Sequence, residues 1–194
     1  MAGKAVFIDR DGTLIEDPGY LRDPAGVRLL PGVSEAIRSL RQAGYRVVVV
    51  TNQSGVARGF LTERTLEAIH TELRRQLAEH GAALDGLYYC PYHPDGRVEG
   101  YAVESDLRKP APGMLFQAAR ELDIDLSNSW MVGDSPVDIQ AGRSAGCRTI
   151  RLTSPGSASV DHNVPLIEVL PDHTAADLVE AARIILGQPA KPFS

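Results

Sequence analysis

Two aspartates, Asp9 and Asp11, follow the apolar run Ala5-Val6-Phe7-Ile8 and lead into Gly12-Thr13. A run of branched and aromatic residues reads as a buried strand, and parallel α/β sheets hold their ligand crevices outside the carboxyl ends of such strands. Alternate residues of an extended chain face the same way, so both carboxylates can converge on one magnesium ion or one phosphate. Asp and Gly are also ordinary turn residues, and the pair alone weighs turn and chemistry about equally. Three further polar segments shift that balance: Thr51-Asn52-Gln53-Ser54-Gly55 after Tyr45 to Val50, Arg108-Lys109-Pro110, and Gly133-Asp134-Ser135-Pro136-Val137-Asp138 after Trp130-Met131-Val132. Four such loops at element boundaries are hard to explain as solvated turns. Together they offer carboxylates, a hydroxyl and an ammonium, the groups that phosphoryl chemistry uses.

These segments resemble the haloacid dehalogenase superfamily, whose motifs are D-x-D-x-T, a Ser or Thr after the second strand, a Lys, and an acidic G-D-x-x-x-D loop. The resemblance spans residues 4–152. Within the superfamily, E-D-P-G-Y at Glu16 to Tyr20, T-N-Q-S-G at Thr51 to Gly55, C-P-Y-H-P-D-G at Cys90 to Gly96 and R-K-P-A-P-G-M at Arg108 to Met114 look like the D-glycero-D-manno-heptose 1,7-bisphosphate phosphatases. The histidinol-phosphate phosphatases closely resemble that branch.

The resemblance implies a magnesium-dependent phosphatase that removes the 7-phosphate of a heptose bisphosphate, and it implies a role for each motif. Asp9 is the expected nucleophile, forming an acyl phosphate that splits hydrolysis into two steps. Asp11 is the expected general acid and base, Thr51 a donor to a phosphoryl oxygen, and Lys109 both the charge that offsets the transition state and the group that orients Asp9. Asp134 is expected to complete a magnesium site with the Asp9 carboxylate and the Asp11 carbonyl. Asp138 either orders that metal loop or favours a helix N-terminus. Asp17-Pro18-Gly19-Tyr20, locally a turn, becomes a substrate loop through Asp17, Gly19 and Tyr20. Asn52, Gln53 and Ser54 are expected to face the substrate, and Arg108 to grip a second, non-reacting phosphate with its planar fork.

One loop departs from the pattern. The branch holds structural zinc through C-x-H followed by C-x-C, and the matching positions here are Cys90, Tyr92, Ser105 and Leu107. Cys90 with His93, one residue late, is a poor zinc site, so zinc is not expected and the loop is expected to be ordered by packing or substrate.

The elements that must carry these groups follow from periodicity. Strands are expected at Ala5 to Ile8, Arg46 to Val50, Leu87 to Cys90, Trp130 to Val132, Arg148 to Leu152 and, after a Ser-rich loop from Thr153 to Asn163, around Leu166 to Val169. Helices are expected from Val33 to Ala43, Thr62 to His80, Pro112 to Leu122, Val137 to Ala145 and Ala175 to Leu186. The alternation implies α/β: a three-layer, Rossmann-like parallel sheet without a large cap domain, over one domain at 1–187 with a flexible tail at 188–194. Met114, Phe116, Trp130 and Met131 read as core, and His70, His80, His162 and His173 as surface or helix residues without metal-like spacing.

The 194 residues are 43% hydrophobic and 23% charged, as in ordinary globular chains. The two cysteines, Cys90 and Cys147, read as free thiols in a reducing compartment, and no apolar stretch has the length of a membrane span. The expected protein is cytoplasmic and monomeric, with a phosphorylated sugar as its partner and no membrane contact. A DNA 3′-phosphatase shares D-x-D-G-T, T-N-Q-x-G and R-K-P, but the net charge of −5 and the absence of a basic stripe argue against a nucleic-acid partner. A phospho-accepting receiver domain also places Asp, Thr and Lys at strand ends. The acid at Asp11, placed to drive turnover, argues for an enzyme.

Overall fold

The computed structural model describes residues 2–153 and 169–188. Six strands form one parallel sheet: β1 (Lys4–Ile8), β2 (Tyr45–Asn52), β3 (Gly86–Cys90), β4 (Trp130–Gly133), β5 (Arg148–Leu152) and β6 (His173–Ala175), in the spatial order β3-β2-β1-β4-β5-β6. The order reverses at β1, whose neighbours are β2 and β4, and such a switch point opens a crevice at the carboxyl end of the sheet.

The strands are apolar on both faces because both are covered. Val6 and Ile8 of β1, with Val47 and Val49 of β2, pack with α1 (Val33–Gln42), α2 (Glu63–Glu79) and α5 (Leu178–Ile185). Ala5, Phe7, Val48 and Val50 pack with α3 (Gly113–Glu121) and α4 (Pro136–Ser144). These are the three layers expected, and among the described residues there is no large cap domain. Helix starts follow local chemistry: the Thr62 hydroxyl accepts from Thr65 N at 3.1 Å at the head of α2, as its sequence signals.

Several expectations are corrected. Residue Ala175, expected to begin a helix, instead ends β6, because His173-Thr174-Ala175 pairs with Ile150-Arg151-Leu152; α5 starts later, where the Asp177 carboxylate accepts from Glu180 N at 2.8 Å. Phe116 is 47% exposed, since α3 turns Met114, Leu115 and Ala118 to the sheet instead. His70 is 3% exposed and belongs to the inner face of α2. The expected strand around Leu166 to Val169, the loop to Asn163, His162 and the tail beyond Gln188 lie outside the described residues, save that Val169 is not in a strand. Among the described residues no helix is long and apolar enough to cross a membrane, and Cys90 and Cys147 are buried free thiols.

Candidate active site

At the carboxyl end of β1 the chain breaks out of the ladder with Asp9 N donating to Val132 O at 3.0 Å, then folds back so that Leu14 N reaches Arg10 O at 2.9 Å. Gly12 makes this turn possible twice over. Its φ is +71°, and a β-carbon there would strike the Asp134 carboxylate. Gly133 is equally constrained, because a side chain would collide with Asp138.

Lys109 arrives from the loop before α3 and ends beneath the sheet's edge. Its Nζ donates to Asp9 Oδ1 at 2.6 Å and Val50 O at 2.8 Å, and pairs with Asp138 Oδ1 at 2.6 Å. Asn52, which β2 carries past its expected end at Val50, fixes the backbone of that loop: its Nδ2 donates to Lys109 O at 2.9 Å, and its Oδ1 accepts from Lys109 N at 3.0 Å. The Asn52 amide thus grips the lysine loop from a position that also lines the cavity. Gln53 Nε2 donates to both Asp11 Oδ2 and Thr51 Oγ1 at 2.8 Å, which leaves the Thr51 hydroxyl proton to be donated elsewhere. Asp138 stands at the head of α4, where its Oδ2 accepts from Ser135 N at 3.0 Å, while its Oδ1 faces Lys109.

Oxygens of Asp9, Asp134 and Asp138 lie within 4.8 Å of one another, all buried, against the single ammonium of Lys109. The charges decide the protonation states. Burial alone would lower the Lys109 pKa, but Asp138 and then Asp9 more than reverse it, so the ammonium stays charged. Burial raises Asp9 well above the usual carboxylate range; Lys109 opposes this, and Asp138, Asp11 and Asp134 add to it. Asp134 is pushed up to about 7, by burial first and by Asp138 next. Only when all three carboxylates are ionised do they leave a surplus of two negative charges over the one cation, and burial therefore favours protons on this cluster of hard oxygen donors until a cation such as magnesium displaces them.

A pH dependence follows. An unfolded Asp titrates at about 4. Between about pH 4 and pH 7 the metal-free fold therefore holds more protons than the unfolded chain, and its stability falls as pH rises through that window. A bound cation takes the place of the proton. Magnesium affinity is expected to climb as pH rises through that window, with protons released from Asp134 and from Asp9, which burial also raises. Calorimetric titrations in two buffers of different ionisation enthalpy count those protons; an affinity that does not change across the window would contradict the assignment.

The site opens into a cavity of about 350 Å³ lined by every residue singled out in the sequence: Asp9, Asp11, Asp17, Gly19, Tyr20, Thr51, Asn52, Gln53, Ser54, Arg108, Lys109 and Asp134. Asp17 Oδ1 accepts from Gly19 N at 2.8 Å, holding the turn that presents Tyr20. Arg58, Leu61 and Asp138 also line it, and Arg58 escaped the sequence reading because a lone arginine after a glycine-rich turn carries no spacing signal.

A family comparison decides what this site belongs to: the model of the haloacid dehalogenase-like hydrolases matches residues 18–146. The chain belongs to the haloacid dehalogenase-like hydrolases. Among curated members of this family it is 44% identical over 152 residues to the D-glycero-β-D-manno-heptose-1,7-bisphosphate 7-phosphatase of Yersinia pestis, covering 78% of this chain and 81% of that protein. The protein of the same name from Escherichia coli K12 is 45% identical, covering 78% of this chain and 80% of that protein. Among solved structures, the D,D-heptose 1,7-bisphosphate phosphatase of B. bronchiseptica, complexed with magnesium and phosphate, superposes with a TM-score of 0.79 at 36% identity, over 95% of this chain and 98% of that one.

The loop that follows Cys90 packs back against the fold. Tyr92 stacks on Tyr101 at 5.9 Å, the Tyr101 hydroxyl donates to Glu63 Oε2 at 2.8 Å, and Arg97 N and Val98 N both donate to Ala57 O. His93 Nδ1 accepts from Asp95 N at 3.0 Å and its Nε2 lies 3.2 Å from Arg58 Nη2. Ser105 Oγ accepts from Leu107 N at 3.2 Å.

Proposed function

We propose that this hydrolase removes the 7-phosphate of D-glycero-D-manno-heptose 1,7-bisphosphate through an aspartyl phosphate on Asp9. The single observation that carries the reading is the buried Lys109–Asp9 pair at 2.6 Å beside Asp11, at the floor of a cavity whose wall bears Arg58 and Arg108. The likeness to heptose bisphosphate phosphatases supports the substrate.

The chain's own groups divide the work. An Asp9 oxygen attacks phosphorus while Lys109 and the Thr51 hydroxyl offset the charge on the equatorial oxygens. Asp11 gives its proton to the departing sugar alkoxide and later takes one from the water that opens the aspartyl phosphate, a role worth about a hundredfold to ten-thousandfold. Asp9, Asp134 and the Asp11 carbonyl would hold a magnesium ion, which when bound would supply the neutralisation without which a carboxylate and a phosphate repel. Asp138 keeps Lys109 and the head of α4 in place.

The second phosphate needs its own cations. Arg108 and Arg58 both line the cavity, and Arg58 Nε is buried with no hydrogen-bond partner among the described residues. Arg108→Ala is expected to raise KM for the bisphosphate about tenfold, and to leave a sugar 7-monophosphate within about twofold, because a planar guanidinium is suited to phosphate oxygens. The test is magnesium-dependent phosphate release from both heptose bisphosphate anomers, the heptose 7-phosphate, histidinol phosphate and a 3′-phosphorylated oligonucleotide. Weak and unselective release from all of them would keep the chemistry and remove the heptose assignment.

A further inference from the structure

Arg10 stands between the two aspartates, and its side chain is only 2% exposed. A guanidinium has donors and no acceptors. Nε and Nη2 donate to Asp11 Oδ1 at 3.2 and 2.9 Å, and Nη2 also reaches Asp11 Oδ2 at 3.0 Å. The remaining nitrogen, Nη1, lies 3.2 Å from Nε2 of His70. Because Arg10 can only donate, His70 must accept, which fixes a neutral imidazole with its proton on Nδ1. Its environment agrees: burial, then the charges of Arg10 and Arg74, lower the His70 pKa to about 3.

His70 does not line the cavity. It sits among Leu66, Ile69 and Leu73 on the buried face of α2, with its ring 5.4 Å from that of Tyr89, and its Nδ1 is buried without a hydrogen-bond partner among the described residues. An apolar side chain would fill that position without an unpaired donor. The contact with Arg10 is what a histidine provides there and a leucine does not.

We infer that His70 is a positioning residue for Asp11, acting through Arg10: it fixes the guanidinium, and the guanidinium fixes the plane of the carboxylate. Asp11 lies in a turn next to a glycine, and its side chain is held by these contacts and by Gln53. Without an acceptor at residue 70, Nη1 is left unpaired in an apolar setting and the fork turns away to satisfy it. Catalytic groups are sensitive to such displacements, about a hundredfold for 1 Å. The inference rests on the reading of Asp11 as general acid and base.

Leaving-group dependence tests it. Departure of a sugar alkoxide needs a proton from Asp11, whereas p-nitrophenolate leaves without one, and kcat/KM reports the steps up to the aspartyl phosphate. His70→Leu is expected to lower kcat/KM about tenfold for heptose bisphosphate and less than about twofold for p-nitrophenyl phosphate. His70→Gln, whose amide oxygen can accept from Arg10, is expected to recover most of the loss. Arg10→Lys, which keeps the charge without the fork, is expected to reproduce the selective defect and serves if His70→Leu does not fold. Equal losses on both substrates, or no recovery with Gln, would overturn the inference. Asp11→Asn in the same assays separates the two levels. A selective loss there with none in His70→Leu defeats the positioning role alone, and an unselective loss defeats the acid–base reading beneath it.

Discussion

Asp9→Asn is expected to reduce turnover of heptose bisphosphate at least about a thousandfold, because an amide cannot form the acyl phosphate and loss of a nucleophile removes the whole pathway. The fold is expected to survive. Asn has the shape of Asp, its amide oxygen can still accept from Lys109 Nζ, and the substitution removes one of three crowded carboxylates that face a single ammonium. Burial and the neighbouring carboxylates already raise the Asp9 pKa, so ionised Asp9 is held against a cost that Asn does not carry. The metal-free variant is therefore expected to be at least as stable as the parent, with weaker magnesium binding. Steady-state assays, circular dichroism and a quenched phosphoenzyme trap with labelled substrate check this. Retained turnover with a native spectrum, or label still recovered on the protein, would remove Asp9 as the nucleophile.

Asp9, Asp11, Thr51 and Asp134 were legible in the sequence because strand ends announce themselves: an apolar run followed by a polar loop places its first side chains at the sheet's edge. The parallel sheet was legible for the same reason. Lys109, in the loop before α3, was legible only through its motif. Partnerships across the fold were not. Nothing local shows that β2 runs through Asn52 or that its amide binds the Lys109 backbone. Arg10 occupies the variable place in D-x-D, and nothing local says that its fork turns back onto Asp11. His70 reads as a helix histidine, and only the packing of α2 beneath the β1 turn brings it to Arg10. Periodicity also misassigned Ala175, because three residues of β6 pair with β5 although their spacing continues a helical pattern.

Lys109→Met is expected to damage both stability and activity, and its pH dependence distinguishes this lysine from an ordinary surface cation. The Lys109 side chain is 2% exposed and touches Asp9 and Asp138, whose side chains are 11% and 1% exposed. Removing one partner of a buried ion pair costs about 3–5 kcal/mol, since the other charge is left without a counter-ion in a poor solvent. Here two carboxylates are left behind without their counter-ion. The Asp9 pKa, already raised by burial and held down by Lys109, then rises further above its unfolded value, so the variant's stability is greatest at low pH and is lost as pH rises through the new folded value. The gap between parent and variant is expected to widen from about pH 5 to about pH 8, and magnesium is expected to narrow it, because the ion neutralises the same cluster. Turnover is expected to fall at least about a hundredfold even at saturating magnesium, since the ammonium that offsets transition-state charge is gone. Urea unfolding at several pH values, with and without magnesium, gives the stability terms directly. A midpoint unchanged from the parent at about pH 8 without metal would mean that Lys109 does not hold this cluster together, whatever its effect on rate.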